Sequence, residues 1–411
     1  MSEQALLSVI LDFSHPVEVD YFSYLTFLSN LTKLENIPKG NLTMLNWESK
    51  LKSWKNQRVT RRSVLSAFSS SLVLSATVFT WNTPENTTHQ QAISSTNMDG
   101  KLIANNPGKK VVRIVRSKQL TALAVLEKQG TLEKRLGALG YKVEWPEFAA
   151  GPQQLEALNA GGLDIASTAE SPPVFSQAAG VPLVYLAANS SDGRAVSLLV
   201  PPNSPAKRFQ DLKGKKIAFQ KASIGHYLTV RAAEREGLKL TDVTSVFLAP
   251  PDANAAFSQG KVDAWFIWEP FVTRNVQNKV GRVLLDGGNG LRDTNNFYST
   301  NRKFYQENPQ VIKIFLEELQ KAQVWSKKNP KQIAQLLTSA TQLDARTLEK
   351  MHNKYDFALV PINEKVIKKQ QEVADKWYSL GLIPRKVNVR DGFLSPQQYA
   401  AITPKEVLTK K

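Results

Sequence analysis

Residues 142–173 read KVEWPEFAAGPQQLEALNAGGLDIASTAESPP, and the fold class can be inferred from them. Lys142 to Trp145 predicts a strand. Gly151-Pro152 predicts the beginning of a helix that reaches Asn159, because proline is tolerated in a first turn. Asp164 to Ser167 predicts the next strand, and Ser171-Pro172-Pro173 opens another helix. Strands and helices that alternate at this spacing indicate a mostly parallel α/β sheet.

The same alternation extends to both sides of this stretch. Val111 to Arg116 predicts an earlier strand, and the pattern restarts with a strand at Val196 to Val200. Around Asn296 to Thr300 the chain is expected to return to the first unit, after which it is mainly helical. We therefore predict two α/β lobes with a cleft between them, the first formed by residues 110–199 and 295–411 and the second by residues 200–294.

The composition excludes several classes of site. The chain of 411 residues has no cysteine, so disulfides, cysteine-ligated zinc and thiol catalysis are excluded. Its four histidines are scattered, and we expect neither a metal nor another cofactor. The formal charge of +17 is compatible with nucleic-acid binding or with a solvated basic surface. We favour the second interpretation, because the basic residues are spread along amphipathic helices, and we expect no nucleic acid as partner.

The N-terminal part predicts an export signal. Arg58 to Leu65 (RVTRRSVL) contains the pair Arg61 and Arg62, and an uncharged, weakly apolar run follows to about Phe79. Basic residues followed by a short apolar run are typical of an export signal, here of the twin-arginine type at residues 57–82. The alternatives are a buried helix and a retained N-terminal anchor.

The segments around this signal differ from it in character. Residues 83–109 are rich in Asn, Thr, Ser and Gln and predict a linker. Residues 1–56 form an N-terminal extension. Because Met44 would give the signal an ordinary length, we interpret residues 1–43 as a mis-called or variable segment. The expected location is the periplasm.

Three predicted strand-to-helix corners are rich in hydroxyl groups. They are Ser117 to Gln119, Ser167 to Pro173 and Gln220 to His226. Ligands of α/β sheets lie at the carboxyl ends of strands, beside helix N-termini whose N–H groups and partial positive charge suit an anion. The alternative is that each Ser or Thr only caps its helix.

Other side chains near these corners have more than one interpretation. Trp265 and Trp268 could wall a cleft against an alkyl chain or pack in the core. Glu170 could bond a ligand amine, cap a helix or be solvated. We interpret His226 as structural rather than catalytic.

Short motifs at these positions resemble those of the periplasmic aliphatic-sulfonate-binding proteins of ABC importers, which are similar to taurine- and nitrate-binding proteins. Glu147 to Gln153 (EFAAGPQ) resembles Glu-Phe-x-Ala-Gly-Pro-Gln, and Asp263 to Trp268 (DAWFIW) resembles Asp-Ala-Trp-x-Ile-Trp. The resemblance covers about Val111 to Val389. It implies a type II periplasmic-binding-protein-like fold and a monomer that closes on a small organic anion, docks on an ABC permease and breaks no bond.

The resemblance also implies which residues contact the solute. Carried over by position, the first candidates are Ser117, Ser167, Thr168, Ser223 and Trp265, and the further candidates are Gln220, His226, Trp268 and Glu269. Glu170 is a candidate from its own charge at the second corner. Ala169, Glu170 and Ala222 depart from the family pattern, which has Gly, Asp and Gly there. The resemblance therefore implies an alkanesulfonate as the solute, with taurine, nitrate or another oxyanion as the alternatives that these departures leave open. The rival hypothesis is an enzyme on the same scaffold, similar to pyrimidine-precursor synthases.

Overall fold

The computed structural model describes residues 110–191 and 193–410. The predicted extension (1–56), the twin-arginine signal with Arg61 and Arg62, and the linker (83–109) lie outside the described residues. Within those ranges, no helix has both the length and the apolar character needed to cross a membrane.

The strands form three sheets. In chain order they are β1 (Lys110–Arg113), β2 (Tyr141–Glu144), β3 (Ala166–Thr168), β4 (Leu183–Asn189), β5 (Val196–Val200), β6 (Lys216–Phe219), β7 (Thr244–Phe247), β8 (Ala264–Trp268), β9 (Arg282–Asp286), β10 (Asn296–Asn301) and β11 (Leu359–Val360). The first lobe holds the pair β1-β2 and a sheet of order β11-β4-β10-β3, and the second lobe holds a sheet of order β7-β6-β8-β5-β9.

Helices alternate with these strands along the chain and make up most of the chain after β10. They are α1 (Ala122–Gln129), α2 (Thr131–Gly137), α3 (Gly151–Asn159), α4 (Ser171–Ala178), α5 (Ile224–Arg235), α6 (Pro250–Ser258), α7 (Phe271–Gln277), α8 (Arg302–Glu307), α9 (Pro309–Lys328), α10 (Pro330–Leu336), α11 (Thr338–Thr341), α12 (Ala345–Met351), α13 (Glu364–Ser379), α14 (Pro396–Ile402) and α15 (Lys405–Leu408). Short 3₁₀ turns occur at Phe209–Leu212, Leu240–Asp242, His352–Lys354 and Val389–Gly392.

The two-lobed α/β fold is confirmed, but the sheets are less parallel than predicted. β1 pairs with β2, and β6 with β7 and β8, in parallel. By contrast, β10 runs antiparallel to β3 and β4, and β5 runs antiparallel to β8 and β9. β5 and β10 are the strands by which the chain enters a sheet from the other lobe. No crossover helix within the sheet sets their direction.

The predicted boundary between the lobes also needs correction. Residue 199 was expected to end the first lobe, yet this boundary would divide β5, which pairs with β8 and β9 in the second lobe. The chain therefore crosses between β4 and β5. Helix α13 extends beyond the first lobe as well, because Trp377 packs in the same cluster as Ile217 and Phe219.

The two segments that connect the lobes touch each other. Gly193 follows β4 and Gly287 follows β9, and a Cβ at Gly193 would collide with the Gly287 carbonyl group. Gly193 also has a φ of 84°, a conformation that glycine adopts without strain. The N–H of Gly287 donates to the carbonyl oxygen of Val196 at 2.9 Å. The two segments therefore cross in close contact next to Ser191 and Arg292, which line the cleft described below.

Candidate functional site

A cleft with a volume of 640 Å³ lies between the lobes. Its lining includes the segment that follows β1, the ends of β3 and β8, and the beginning of α5. Several predicted binding residues line it, namely Ser117, Ser167, Thr168, Ser223 and Trp268. The other candidates do not line the cleft, as described below. They are Glu170, Gln220, His226, Trp265 and Glu269.

The first corner, after β1, presents the hydroxyl of Ser117. Its Oγ accepts hydrogen bonds from the Thr121 hydroxyl at 2.9 Å and from the Gln119 N–H at 3.3 Å. Thr121 in turn caps α1 by accepting from the Ala124 N–H. Because Ser117 Oγ acts as acceptor in both bonds, its own proton remains for another acceptor.

The second corner, between β3 and α4, contains a buried hydroxyl without a partner. Thr168 is 5% exposed, and its Oγ1 makes no hydrogen bond within residues 110–191 and 193–410. Gly151 allows this packing, since a Cβ there would lie 2.8 Å from Cγ of Pro172. Ser167 is held by its N–H, which donates to Gln154 Oε1 at 3.0 Å. A buried unpaired hydroxyl is uncommon and costs free energy.

The third corner, before α5, has its hydroxyl already engaged. Ser223 Oγ donates to the Gln220 carbonyl at 2.7 Å and accepts from the Gly225 N–H at 3.1 Å, so it caps the helix. The capping interpretation therefore describes Ser223, although it lines the cleft. The adjacent Ala222 has a φ of 62°, a left-handed conformation that favours glycine.

The two candidate tryptophans face different surroundings. Successive side chains on a strand point to opposite faces, so residues three apart on β8 cannot share a face. Trp268, at the end of the strand, lines the cleft. Trp265 is fully buried and packs against Phe257 and Phe271. Its assignment as a ligand neighbour is corrected to core packing.

Two further candidates, His226 and Gln220, do not line the cleft either. His226 is fully buried, stacks on Phe219 and accepts a hydrogen bond from the Ala222 N–H at Nδ1. Burial, with Lys221 as a lesser cause, lowers the pKa of His226 to about 3, so the imidazole is neutral. Its structural interpretation replaces its place among the binding candidates. Gln220 does not line the cleft either, and its carbonyl oxygen holds Ser223.

Glu170 belongs to a buried ion pair rather than to the cleft surface. Its Oε2 lies 2.8 Å from Nη2 of Arg292 and accepts from the Thr294 hydroxyl at 3.0 Å. Arg292 also donates to Ser191 at 2.7 Å and to Asn296 at 2.8 Å. The proposed roles of Glu170 as a ligand contact or a solvated group are corrected, because Arg292 neutralises it inside the protein.

Glu269 is engaged in the same way. It is fully buried, and it binds Nζ of Lys354 at 2.6 Å and the hydroxyl of Thr273 at 2.8 Å.

Across residues 110–191 and 193–410, no group of three or more His, Asp or Glu side chains is placed to hold a metal ion.

Sequence reasoning missed Tyr298, which stands on β10 opposite Ser167. It lines the cleft, and its hydroxyl interacts with the side chains of Ser167 and Gln323. Burial raises the pKa of Tyr298 well above its usual value, so it stays a neutral donor at physiological pH. Its position carries no motif, and only the antiparallel register of β10 brings it to the second corner.

The cations of the cleft were missed as well. Arg274, Arg292 and Lys354 line it from α7, from the second connecting segment and from the turn after α12. Arg292 and Lys354 have carboxylate partners far away in the chain, so no local pattern could reveal them. Burial lowers the pKa of Arg274, while the charge of Glu269 raises it to a lesser extent.

The chain is similar in sequence to a known protein family. The model of the NMT1-like family matches residues 111–339, more than half of the chain. A relative from Escherichia coli, named putative aliphatic sulfonates-binding protein, is 37% identical over 297 residues that cover 72% of this chain and 92% of the relative.

Two solved structures are similar to this fold. The alkanesulfonate-binding protein of Xanthomonas axonopodis pv. citri bound to MOPS is 33% identical, with a TM-score of 0.66 over 71% of this chain and 99% of that chain. The periplasmic aliphatic sulphonate binding protein of Escherichia coli is 38% identical, with a TM-score of 0.63 over 70% of this chain and 92% of that chain. The chain therefore belongs to the NMT1-like family and, within it, to the aliphatic-sulfonate-binding proteins.

Proposed function

We propose that the protein captures an aliphatic sulfonate in the cleft and presents it to the membrane permease of an ABC importer. The observation that carries this proposal is the buried hydroxyl of Thr168, which lines the cleft without a hydrogen-bond partner among the described residues. A bound oxyanion would accept that hydrogen bond and offset the cost of its burial. The names of the relatives, one of them bound to MOPS, support a sulfonate.

Neutral donors would hold the sulfonate. The hydroxyl of Ser117 has a proton to donate, Thr168 has an unpaired hydroxyl, and Tyr298 remains protonated because burial raises its pKa. These groups stand at two corners of the first lobe. The first turn of α5 in the second lobe adds the partial positive charge of a helix N-terminus.

Aromatic side chains would enclose the tail of the solute. Trp268 and Phe271 line the cleft from the second lobe, and Phe148, Tyr355 and Phe357 line it from the first. Apolar walls around a few placed polar groups are typical of small-molecule sites. This arrangement favours an organic sulfonate over nitrate, although taurine and other oxyanions remain alternatives for the test below.

Closure of the lobes would complete the site. The first lobe would bind the sulfonate group, and rotation about the connecting segments would bring Trp268 and α5 over it. The closed monomer would then dock on the permease. No bond of the solute is broken in this scheme, so the protein would not act as an enzyme.

Export would precede this role. The pair Arg61 and Arg62, before an apolar run, supports a twin-arginine route to the periplasm. An export assay on the full chain with both arginines replaced by lysine tests this route, and undiminished export would contradict it.

A thermal-shift and calorimetric screen tests the solute. The probes are ethanesulfonate, butanesulfonate, taurine, sulfate, nitrate and bicarbonate. A sulfonate at 100 times its Kd should add about 2.7 kcal/mol to the free energy of unfolding. Stabilisation by nitrate or bicarbonate without any sulfonate would reject the proposed substrate. If mass spectrometry detects chemical conversion of a bound sulfonate, the enzyme hypothesis is favoured.

A further inference from the structure

We propose that the solute carries a second anionic group, a carboxylate at the end of its tail, which Arg274 binds. This inference rests on the proposed capture of a sulfonate and narrows the substrate class to sulfocarboxylates. It follows from the surroundings of the Arg274 guanidinium at the cleft.

Arg274 is placed on the second lobe with few partners. It lines the cleft from α7, and its guanidinium lies 5.1 Å from the centroid of the Phe271 ring. Nη1 donates to Gln342 Oε1 at 3.2 Å, while Nε is buried and has no hydrogen-bond partner in the described part of the chain. The guanidinium therefore keeps donors that no protein acceptor uses.

Arg274 differs from the other cations that line the cleft. Those with a carboxylate partner are Arg116 with Glu127 at 2.8 Å, Lys118 with Glu147 at 2.5 Å, Arg292 with Glu170 at 2.8 Å and Lys354 with Glu269 at 2.6 Å. Lys128 also lines the cleft but is solvent-exposed. Among residues 110–191 and 193–410, no carboxylate lies within ion-pair distance of Arg274.

Glu269, the acidic group whose charge acts on Arg274, is already neutralised. Glu269 binds Lys354 at 2.6 Å and accepts from the N–H of Thr273 at 2.9 Å. Burial lowers the pKa of Arg274 in spite of Glu269, which means that the guanidinium is poorly compensated. A cation in such a place gains when an anion enters, and its planar fork suits a carboxylate.

The cleft has separate groups for two anionic ends. Its hydroxyl donors stand at the corners after β1 and β3, whereas Arg274 stands on α7 beside the ring of Phe271. The volume of 640 Å³ lies in the range of sites for ligands larger than a two-carbon sulfonate. A molecule that joins a sulfonate to a carboxylate through a short alkyl chain matches both ends.

The test compares a charged tail with an uncharged tail of the same shape. The ligands are 3-sulfopropanoate, 4-sulfobutanoate and 5-sulfopentanoate, their primary amides, and propanesulfonate, all measured by isothermal titration calorimetry. The proteins are the full chain, Arg274→Gln, and Arg346→Gln as control. Arg346 is exposed on α12 beside Thr347, which contacts Gln277 of α7, so this control removes the same charge nearby.

We expect the unmodified protein to bind the carboxylate of at least one spacer length about tenfold or more tightly than its amide. In Arg274→Gln this ratio should fall close to one while propanesulfonate binds as before, and Arg346→Gln should keep the ratio. A ratio near one in the unmodified protein at every length overturns the inference. An equal loss for propanesulfonate in Arg274→Gln also overturns it, because Arg274 would then hold the sulfonate itself. If no sulfonate of any kind binds, the proposed function fails first.

Discussion

At the scale of single residues, Thr168 allows ligand binding to be separated from stability. Valine has the shape of threonine without the unpaired hydroxyl, so Thr168→Val should leave the free energy of unfolding of the ligand-free protein within about 1 kcal/mol of its original value. Loss of a hydrogen bond to a charged group should weaken sulfonate binding about tenfold or more. Urea unfolding and calorimetry measure the two effects.

Thr300→Val is a matched control for this substitution. Thr300 is also buried, but its hydroxyl donates to the Asp164 carbonyl at 2.7 Å, and it does not line the cleft. It should therefore lose about 1 kcal/mol of stability and keep its affinity. Equal affinities for Thr168→Val and the original protein would remove Thr168 from the site.

His226 predicts a pH dependence of stability. Its pKa is lowered from 6.5 to about 3 in the folded chain, mainly by burial. Between these values the unfolded chain binds one more proton at this residue, so the free energy of unfolding falls as the pH drops through this window. In His226→Asn, which keeps an acceptor for the Ala222 N–H, the slope should decrease by up to about 1.4 kcal/mol per pH unit. Urea unfolding from pH 3 to pH 7 checks this, and an unchanged slope would contradict it.

At this scale the sequence predicted the location of a residue best where that location depends on a local pattern. The hydroxyl-rich corners do meet at the cleft, because strand ends and helix beginnings are set by short patterns. Glu170 could not be interpreted in the same way. Its partner Arg292 is 122 residues away, and no local feature of either residue indicates that they pair.

At the scale of elements, β8 separates structural from ligand-facing aromatics. Trp265 is fully buried in the core, so Trp265→Ala should lower the free energy of unfolding by about 3–5 kcal/mol. Trp268 is only partly buried and lines the cleft, so Trp268→Ala should cost less stability. It should weaken binding of octanesulfonate more than that of methanesulfonate. Urea unfolding and calorimetry on both variants test the assignment, which fails if Trp265→Ala is as stable as the original chain.

The beginnings of helices could be predicted better than the directions of strands. Proline stands in the first turn of α3, α4, α6, α9, α10 and α14. Between α1 and α2, Gly130 adopts a φ of 64°, a left-handed conformation that ends one helix before the next begins. The antiparallel placement of β5 and β10 depends on packing between distant segments, so it could not be inferred from alternation alone.

At the scale of the whole molecule, charge and shape act together on an anionic solute. The formal charge of +17 raises the local concentration of anions around the protein. Inside the cleft, most cations of the lining are paired with carboxylates, and neutral hydroxyls line the same surface. The two-lobed architecture was predictable because the α/β alternation restarts along the chain, whereas the pairing of those cations required the folded structure.

The crossing of the connecting segments restricts how the protein can move. Gly193 and Gly287 leave no room between their backbones, and Arg292 ties Ser191 of one segment to Glu170 of the first lobe. Translation of one lobe along the other would break the glycine contact and separate Arg292 from Glu170, which would leave a charge unpaired. Rotation of the lobes about the glycine contact would preserve both. Under the proposed function, the permease would then distinguish empty from loaded protein by the angle between the two lobes, which turn about the contact of Gly193 with Gly287. A substitution at either glycine would therefore alter transport although neither residue contacts the solute.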